Sequence, residues 1–319
     1  MPRALHIRRS ASVHSDHMIQ LADDFYFVGG DKGGRFPSCH GFLFTGSETV
    51  LIDAGIGEEN IKELDRNKRI DVLIITHSHP DHIRDWHLLA DRHLLLPAET
   101  PDAVLDLQLL GERFTGTPER GQYWARVVRD VWGIHPLREP DGRFGDRDVI
   151  STGRAELEAI RVGGHIDDHY CFLERRSGTL LATDVDFTSF GPWYGNPESD
   201  IETFQAGVRS LMALPHGRVC SSHRRPLKVG EATAHFEAFL AGFEKHRNKV
   251  LELCASPITL EELVEASPIY GNGMPDKRLQ QMFETNMIVK NLALLVRDGL
   301  VVQYNGRYVG ASASYSERH

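Results

Sequence analysis

The chain has 319 residues, 41% of them hydrophobic and 25% charged, with a formal net charge of -9. These proportions fit a folded protein with a sizeable core and exclude wholesale disorder; the acidic balance disfavours broad capture of nucleic acid or anionic membrane, leaving such contacts to a local basic patch. No run approaches the roughly 18 apolar residues of a membrane span, the first residues contain no apolar signal core, and the four cysteines are scattered without a CxxC pair, so a cytoplasmic protein with reduced thiols is expected.

Residues 1–17 are polar and rich in His, Arg and Ser, and read as a flexible arm. Short apolar, β-prone runs at 25–28, 41–44 and 49–52, separated by Gly and Asp turns, predict a sheet meander. A helix is predicted over 58–69 and a buried strand over 71–76, which together suggest an α/β layered fold. Over 103–132 the apolar residues fall at helical spacing (Val104, Leu107, Leu110, then Tyr123, Trp124, Val127, Val128 and Val131). This interrupts the strand pattern and reads as an inserted helical segment over 103–135, serving as a lid or a dimer contact. Strand signals return at 155–162, 171–174, 179–183 and 218–221. Beyond 230 the character changes: 231–253 reads as one or two amphipathic helices, Thr259 with Glu262 reads as a helix start, and 277–297 is helical again. Two short strands around Asn305-Gly306 then form a hairpin. The order predicts a first domain over 18–230 and a helical, winged-helix-like domain over 231–319, whose apolar helices hint at a homodimer.

Directly after the buried strand stands Thr76-His77-Ser78-His79-Pro80-Asp81-His82. Three imidazoles and a carboxylate within six residues suit a borderline divalent cation such as zinc. The spacing of His77 and His79 puts both on one face of an extended segment, while Asp81 and His82 need a turn to aim at a second point nearby. One cation leaves part of this cluster idle; two, roughly 3.5–4 Å apart, use all of it. A lone histidine after a strand is more often a surface or structural residue, but the whole constellation is not explained that way.

HSHPDH resembles the HxHxDH signature of the metallo-β-lactamase superfamily, and further stations follow in order. Asp53-Ala54-Gly55 resembles the early Asp-x-Gly, Gly164-His165 stands at the next histidine, Thr183-Asp184 matches the bridging aspartate, and Ser222-His223 matches the last histidine. The resemblance covers about 20–230 and implies the αββα sandwich. It implies His77, His79 and His165 on a first metal, Asp81, His82 and His223 on a second, Asp184 between them, and Asp53 behind the ligands fixing an imidazole. Two zinc ions are implied, with iron or manganese as alternatives. Flavo-di-iron proteins of similar fold usually carry Glu at the position of His79, whereas thioesterases, lactonases and some mononuclear iron persulfide dioxygenases keep the histidine. Departures from the family pattern at Ile83-Arg84-Asp85-Trp86, Ile166-Asp167-Asp168 and Ser222-His223-Arg224 change the wall of the site rather than its ligands.

Two cations sharing a bridging hydroxide provide a nucleophile at neutral pH, with Asp81 orienting it and passing on a proton. The aromatic loop after Asp184 offers Phe190 and Trp193 as substrate contacts and Tyr194 as a donor to an oxyanion, although an aromatic loop plugging the core is an equal reading. Arg84 and Arg224 are candidates for a substrate carboxylate or phosphate, or for pairing with neighbouring acids such as Asp85. The expected function is hydrolysis of a small-molecule ester, thioester or lactone. The C-terminal region, with His246-Arg247 and Tyr270-Gly271, resembles that of the lactamase-β-like protein 2 group, which implies an RNA or nucleotide phosphodiesterase as the alternative. RNA as a partner is disfavoured by the acidic balance. A mononuclear iron sulfur-oxidising enzyme and a partner-binding protein with a structural metal complete the alternatives.

Overall fold

A computed structural model describes residues 17–271 and 273–311. The expected arm lies almost entirely outside the described residues, as do the last eight residues of the chain. The chain opens with a meander, β1 (Met18–Ala22), β2 (Phe25–Val28), β3 (Gly41–Thr45) and β4 (Thr49–Ile52). Helix α1 (Glu58–Lys68) crosses to β5 (Val72–Ile74), and the short α2 (Pro80–Ile83) follows. Then come β6 (His93–Pro97), α3 (Leu107–Thr115), α4 (Pro118–Asp130) and β7 (Gly142–Phe144). The seven strands form one sheet in sequence order, antiparallel through β4 and parallel from β4 to β7.

A second sheet holds β8 (Val149–Ser151), β9 (Glu156–Arg161), β10 (Tyr170–Glu174), β11 (Thr179–Leu181) and β12 (Val219–Cys220), with α5 (Ile201–Ala213) crossing between the last two. Helix α6 (Ala232–Leu253) leads to β13 (Ile258–Thr259), α7 (Leu260–Ala266) and α8 (Lys277–Arg297). The hairpin β14 (Val301–Tyr304) and β15 (Arg307–Gly310) closes the order, with β13 added to make a three-stranded sheet.

Strand side chains alternate between faces, and here both faces are buried. Phe42, Phe44, Val50, Ile52, Val72 and Ile74 point at Leu157, Tyr170, Phe172 and Leu181 of the second sheet. Their neighbours Leu43, Leu51 and Leu73 point the other way, against α1 to α4. The outer face of the second sheet is covered by α5 to α8. The result is four layers, helix–sheet–sheet–helix, and the strands read as continuous apolar runs because neither face meets water.

The insertion is the α3–α4 pair. Asp106 caps α3 on the amides of Gln108 and Leu109, and Thr117 caps α4 with Pro118 at the first turn. The 231–253 stretch is a single helix. Thr259 and Glu262 form the reciprocal capping box, and Asn305-Gly306 turns with φ 49° and 74° as the hairpin requires. The sequence reading passed over α5, although Asp200 caps it and Ile201, Phe204, Val208 and Leu211 are buried at helical spacing. All four cysteines are buried and unbridged. Among the described residues no helix is long and apolar enough to cross a membrane.

Glu284 of α8 is fully buried and accepts from Ser267 Oγ (2.8 Å) and from the amides of Ile269 (2.9 Å) and Tyr270 (3.0 Å), tying the α7–α8 connection to the helix. Glu284→Ala leaves these donors without an acceptor. It is expected to cost about 3 kcal/mol, read as a lower urea midpoint with an unchanged slope.

Candidate metal centre

The site lies at one edge of the sandwich, where β4, β5, β11 and β12 end. Beyond β4 the chain turns through Asp53 at φ 62°, a left-handed conformation that costs energy in a residue with a Cβ. The turn aims a fully buried carboxylate at Thr76 N (2.8 Å), Thr76 Oγ1 (2.9 Å) and His82 Nδ1 (2.8 Å). Gly55 makes the next contact possible, since a Cβ there would lie 1.5 Å from the Asp81 carbonyl oxygen. The strand end thereby holds the whole HSHPDH segment in place.

Three imidazoles then converge. His77 Nε2 and His165 Nε2 lie 3.0 and 2.9 Å from His79 Nδ1, and Asp184 Oδ2 is 3.5 Å from His77 Nε2 and 3.3 Å from His165 Nε2. A second set meets them through the same aspartate. His82 Nε2 is 3.0 Å from Asp184 Oδ1, and His223 Nε2 is 3.5 Å from Asp184 Oδ1 and 3.3 Å from Asp81 Oδ2. His77, His79, His165 and Asp184 could hold one cation, and Asp81, His82 and His223 another.

The outer ring nitrogens decide whether such ions fit. His165 Nδ1 donates to the Trp193 carbonyl (2.9 Å), His82 Nδ1 to Asp53, and His223 Nδ1 to the Gly34 carbonyl (2.6 Å). The Thr76 hydroxyl donates to Asp53 and so accepts from His77 Nδ1 (3.0 Å). Asn196 Oδ1 is otherwise without a partner; a half-turn of its amide lets it accept from His79 Nε2, 3.0 Å away. Every outward nitrogen is thus bonded as a donor, so that each inward one can turn a lone pair to a metal, the arrangement a metal ligand needs. His82 Nε2 and Asp184 Oδ1 are buried with no hydrogen-bond partner of their own.

Electrostatics agree with that arrangement. Burial, reinforced by His82, holds His77 well below the usual histidine range, and burial with His165 does the same to His79. Burial opposes charge on His82 and His223 too, but Asp184, with Asp53 and Asp81 beside His82 and Asp81 beside His223, raises both well above it. Asp184, despite its burial, is held well below the carboxylate range by His82, His223 and His77. One half of the cluster therefore sheds protons and the other keeps them where a cation would sit. The donor set fits divalent metal.

Residues 35–223 match the family model of the metallo-beta-lactamase superfamily, more than half of the chain. The chain belongs to this superfamily. It is accordingly a hydrolase of the metallo-β-lactamase superfamily, with a His/Asp cluster suited to divalent metal. It is similar to an uncharacterized protein of Aquifex aeolicus, 25% identical over 59% of this chain and 83% of the relative. It is also similar to a hydroxyacylglutathione hydrolase of Francisella philomiragia, 22% identical over 75% of this chain and 84% of the relative. Among solved structures, a metallo-beta-lactamase family protein from Thermus thermophilus superposes with a TM-score of 0.69 at 19% identity, covering 91% of this chain and all of that one. A beta-lactamase domain protein from Burkholderia ambifaria gives 0.67 at 16% identity, over 92% of this chain and 93% of that one.

Beside the cluster of this superfamily member lies a cavity of about 400 Å³, onto which His79, Asp81, His165, Asp184 and His223 open. Phe190 and Trp193 line it, as the sequence suggested. Tyr194 does not. It is fully buried on the other side of the loop, donating to His246 Nδ1 (3.2 Å) and accepting from Asn291 Nδ2 (3.0 Å), because successive residues of the extended segment face opposite ways. The role of oxyanion donor expected of Tyr194 is withdrawn on that ground. Arg84 is turned away onto Ser38 (2.6 Å) and towards Asp85 (3.5 Å), and Arg224 donates to the Phe187 carbonyl (3.0 Å); neither lines the cavity. His40 and His169 are structural, bound to Gly30 N and to Thr183 Oγ1.

Sequence reasoning missed Asn196 and the C-terminal share of the site. From α8, Asn286 Nδ2 and Lys290 Nζ each donate at 2.7 Å to the carbonyls of Gly195 and Asn196, while Tyr270 is bonded to Trp193 Nε1. His246 of α6 donates to the Phe190 carbonyl (3.1 Å), and burial lowers its pKa to about 4, so it stays neutral near pH 7. The helices thus fix the loop that carries acceptors for two of the imidazoles.

Asp53→Ala frees three donors at once. A drop of about 10- to 100-fold in metal affinity is expected, read by chelator competition. Stripping the metal should lower the melting temperature, since an ion present at about 1,000 times its Kd contributes about 4.1 kcal/mol. An unchanged melting temperature would count against a bound ion.

Proposed function

We propose that this chain is a binuclear, zinc-dependent hydrolase of small-molecule esters, thioesters or lactones. The observation that carries the reading is that seven metal-type side chains meet through Asp184, and five of them, His79, Asp81, His165, Asp184 and His223, open onto one cavity. A structural zinc takes four ligands and no open position, so a cluster of this size facing a cavity favours chemistry. His77, His79 and His165 would hold one ion, Asp81, His82 and His223 the other, and Asp184 both. Bound zinc supplies Lewis acidity and brings the pKa of water from about 15.7 to about 7.

The protein's own part is positioning. Asp81 lines the cavity beside His223, where its carboxylate can orient the attacking water and carry its proton to the leaving group. Asp53, Asn196 and the carbonyls of Trp193 and Gly34 hold the imidazoles in one tautomer. We read the segment from α6 onward as the winged-helix-like domain anticipated after residue 230, and its contacts favour a role in walling the cavity. The relatives named for hydroxyacylglutathione hydrolysis support a thioester. A phosphodiesterase acting on RNA is less well supported, because Arg35 is the one Lys or Arg among the described cavity residues and phosphate capture needs several. Buried, unbridged thiols fit a reducing cytoplasm.

The test is metal content followed by turnover. Protein purified without chelator is expected to carry about two zinc ions and to hydrolyse thioesters, with chelation abolishing both. Asp81→Asn is expected to lower kcat by about 10²- to 10⁴-fold. A single iron with oxygen consumption would transfer the reading to oxidative sulfur chemistry, and RNA cleavage without ester cleavage would transfer it to the phosphodiesterase.

A further inference from the structure

The cavity has more to say about the substrate than the metal cluster does. Its walls come from parts of the chain far apart in sequence: Phe36 before β3, Phe114 of α3, Trp132 beyond α4, Phe190 and Trp193 after β11, and Phe283 of α8. Trp124 and Tyr270 complete the ring-lined wall. Phe36 and Trp132 meet edge to face at 4.8 Å, and Trp193 and Phe283 pack at 5.4 Å, so insertion and C-terminal helices close over the same space.

The polar lining groups outside the metal cluster are few and are partly engaged within the protein. The Tyr270 hydroxyl is bonded to Trp193 Nε1, the Asn196 amide faces His79, and the Thr188 hydroxyl donates to the Asp186 carboxylate (3.1–3.2 Å). A ligand therefore meets mainly ring faces and the metal cluster, with the Tyr270 O–H, the Asp186 carboxylate and the exposed Arg35 as the few other polar groups. A multiply charged or richly hydrogen-bonding group placed there would lose its hydration for too few replacement partners, which is costly. An apolar group would gain about 0.8 kcal/mol per buried methylene.

Resting on the hydrolase reading, we propose that the group carried next to the scissile carbonyl is a bulky, uncharged apolar acyl chain, medium-length alkyl or aryl, seated among these rings with the carbonyl at the metal cluster. Arg35 leaves room for a single anionic group at the rim. Polar hydroxyacyl groups and the multiply charged glutathione moiety both fit the cavity worse than a plain acyl chain on an uncharged thiol.

The experiment uses the zinc-loaded full chain and two matched series from acetyl to octanoyl: N-acetylcysteamine thioesters for turnover, and the corresponding non-hydrolysable amides for binding by calorimetry. Both kcat/KM and the binding constant are expected to rise about fourfold per methylene, the equivalent of about 0.8 kcal/mol, until the cavity is full. Trp132→Ala, at the partly exposed rim, is expected to reduce the octanoyl-to-acetyl ratio about tenfold in both readouts. A flat or falling series, or a hydroxyacylglutathione thioester outrunning the octanoyl one, overturns the inference while leaving the hydrolase reading intact. Chain-length-dependent amide binding with no turnover of any thioester supports the apolar site and removes the thioester from the proposed function.

Discussion

The structure is organised around one electrostatic constraint: imidazole lone pairs and two carboxylates are driven together in a place water hardly reaches. His77, His82 and His165 are almost wholly buried, and their inward nitrogens lie within hydrogen-bond distance of further acceptors. Without cations such a cluster repels itself or retains protons; with them each group is satisfied. The surrounding backbone bears the cost. Asp53 (φ 62°) and Thr183 (φ 42°) are left-handed beside the cluster. Gly164, immediately before His165, takes φ 93° where a Cβ would stand 2.3 Å from Phe204 N. Strain concentrated beside functional side chains is what a site over-determined by its scaffold displays.

The scaffold manages this by assigning each histidine an outer acceptor. Those acceptors come from unrelated parts of the chain: a strand end (Asp53), a glycine-rich loop (Gly34), and the loop after β11 (Trp193, Asn196). That last loop is held by α6 and α8 through His246, Asn286 and Lys290. The C-terminal helices are thus part of the metal centre's support. Arg113 of the insertion works similarly, bridging Ser78 (2.8 Å) to the Glu198 carboxylate and so bracing the loop between His77 and His79.

The cavity separates this superfamily member's chemistry from its specificity. On the proposed reading the cluster would hold the metal that activates water against any of several electrophiles. The walls of the cavity beside it are rings contributed by the insertion, the β11 loop and α8, of which the sequence pattern marked the first and last as additions to the sheet framework. The acidic net charge and the sparse cationic lining are consistent with the small, largely uncharged substrate proposed.

Much of the fold was legible because it rests on local patterns. Strands buried on both faces read as apolar runs, as at Val72–Ile74, and helices announced their caps at Thr259 and Glu262. The HxHxDH spacing carried its own chemistry, since three imidazoles and a carboxylate within six residues suit a borderline divalent cation. Helix α5 was equally legible from Asp200 and its apolar spacing, and went unread. Other features were not available to any local reading. Tyr194 and Trp193 are neighbours, yet one faces α6 and the other the cavity, and only the packing of α8 against the loop settles which. Arg84 and Arg224 could be read equally as substrate contacts or as partners of neighbouring groups, and only the fold shows Ser38, Asp85 and the Phe187 carbonyl claiming them. Residue type and spacing determined which groups bind metal-like charge, because donor chemistry is intrinsic to the side chain. Tertiary structure decided which of them meet, which nitrogen faces inward and what walls the substrate, because those depend on contacts between segments that the sequence holds far apart.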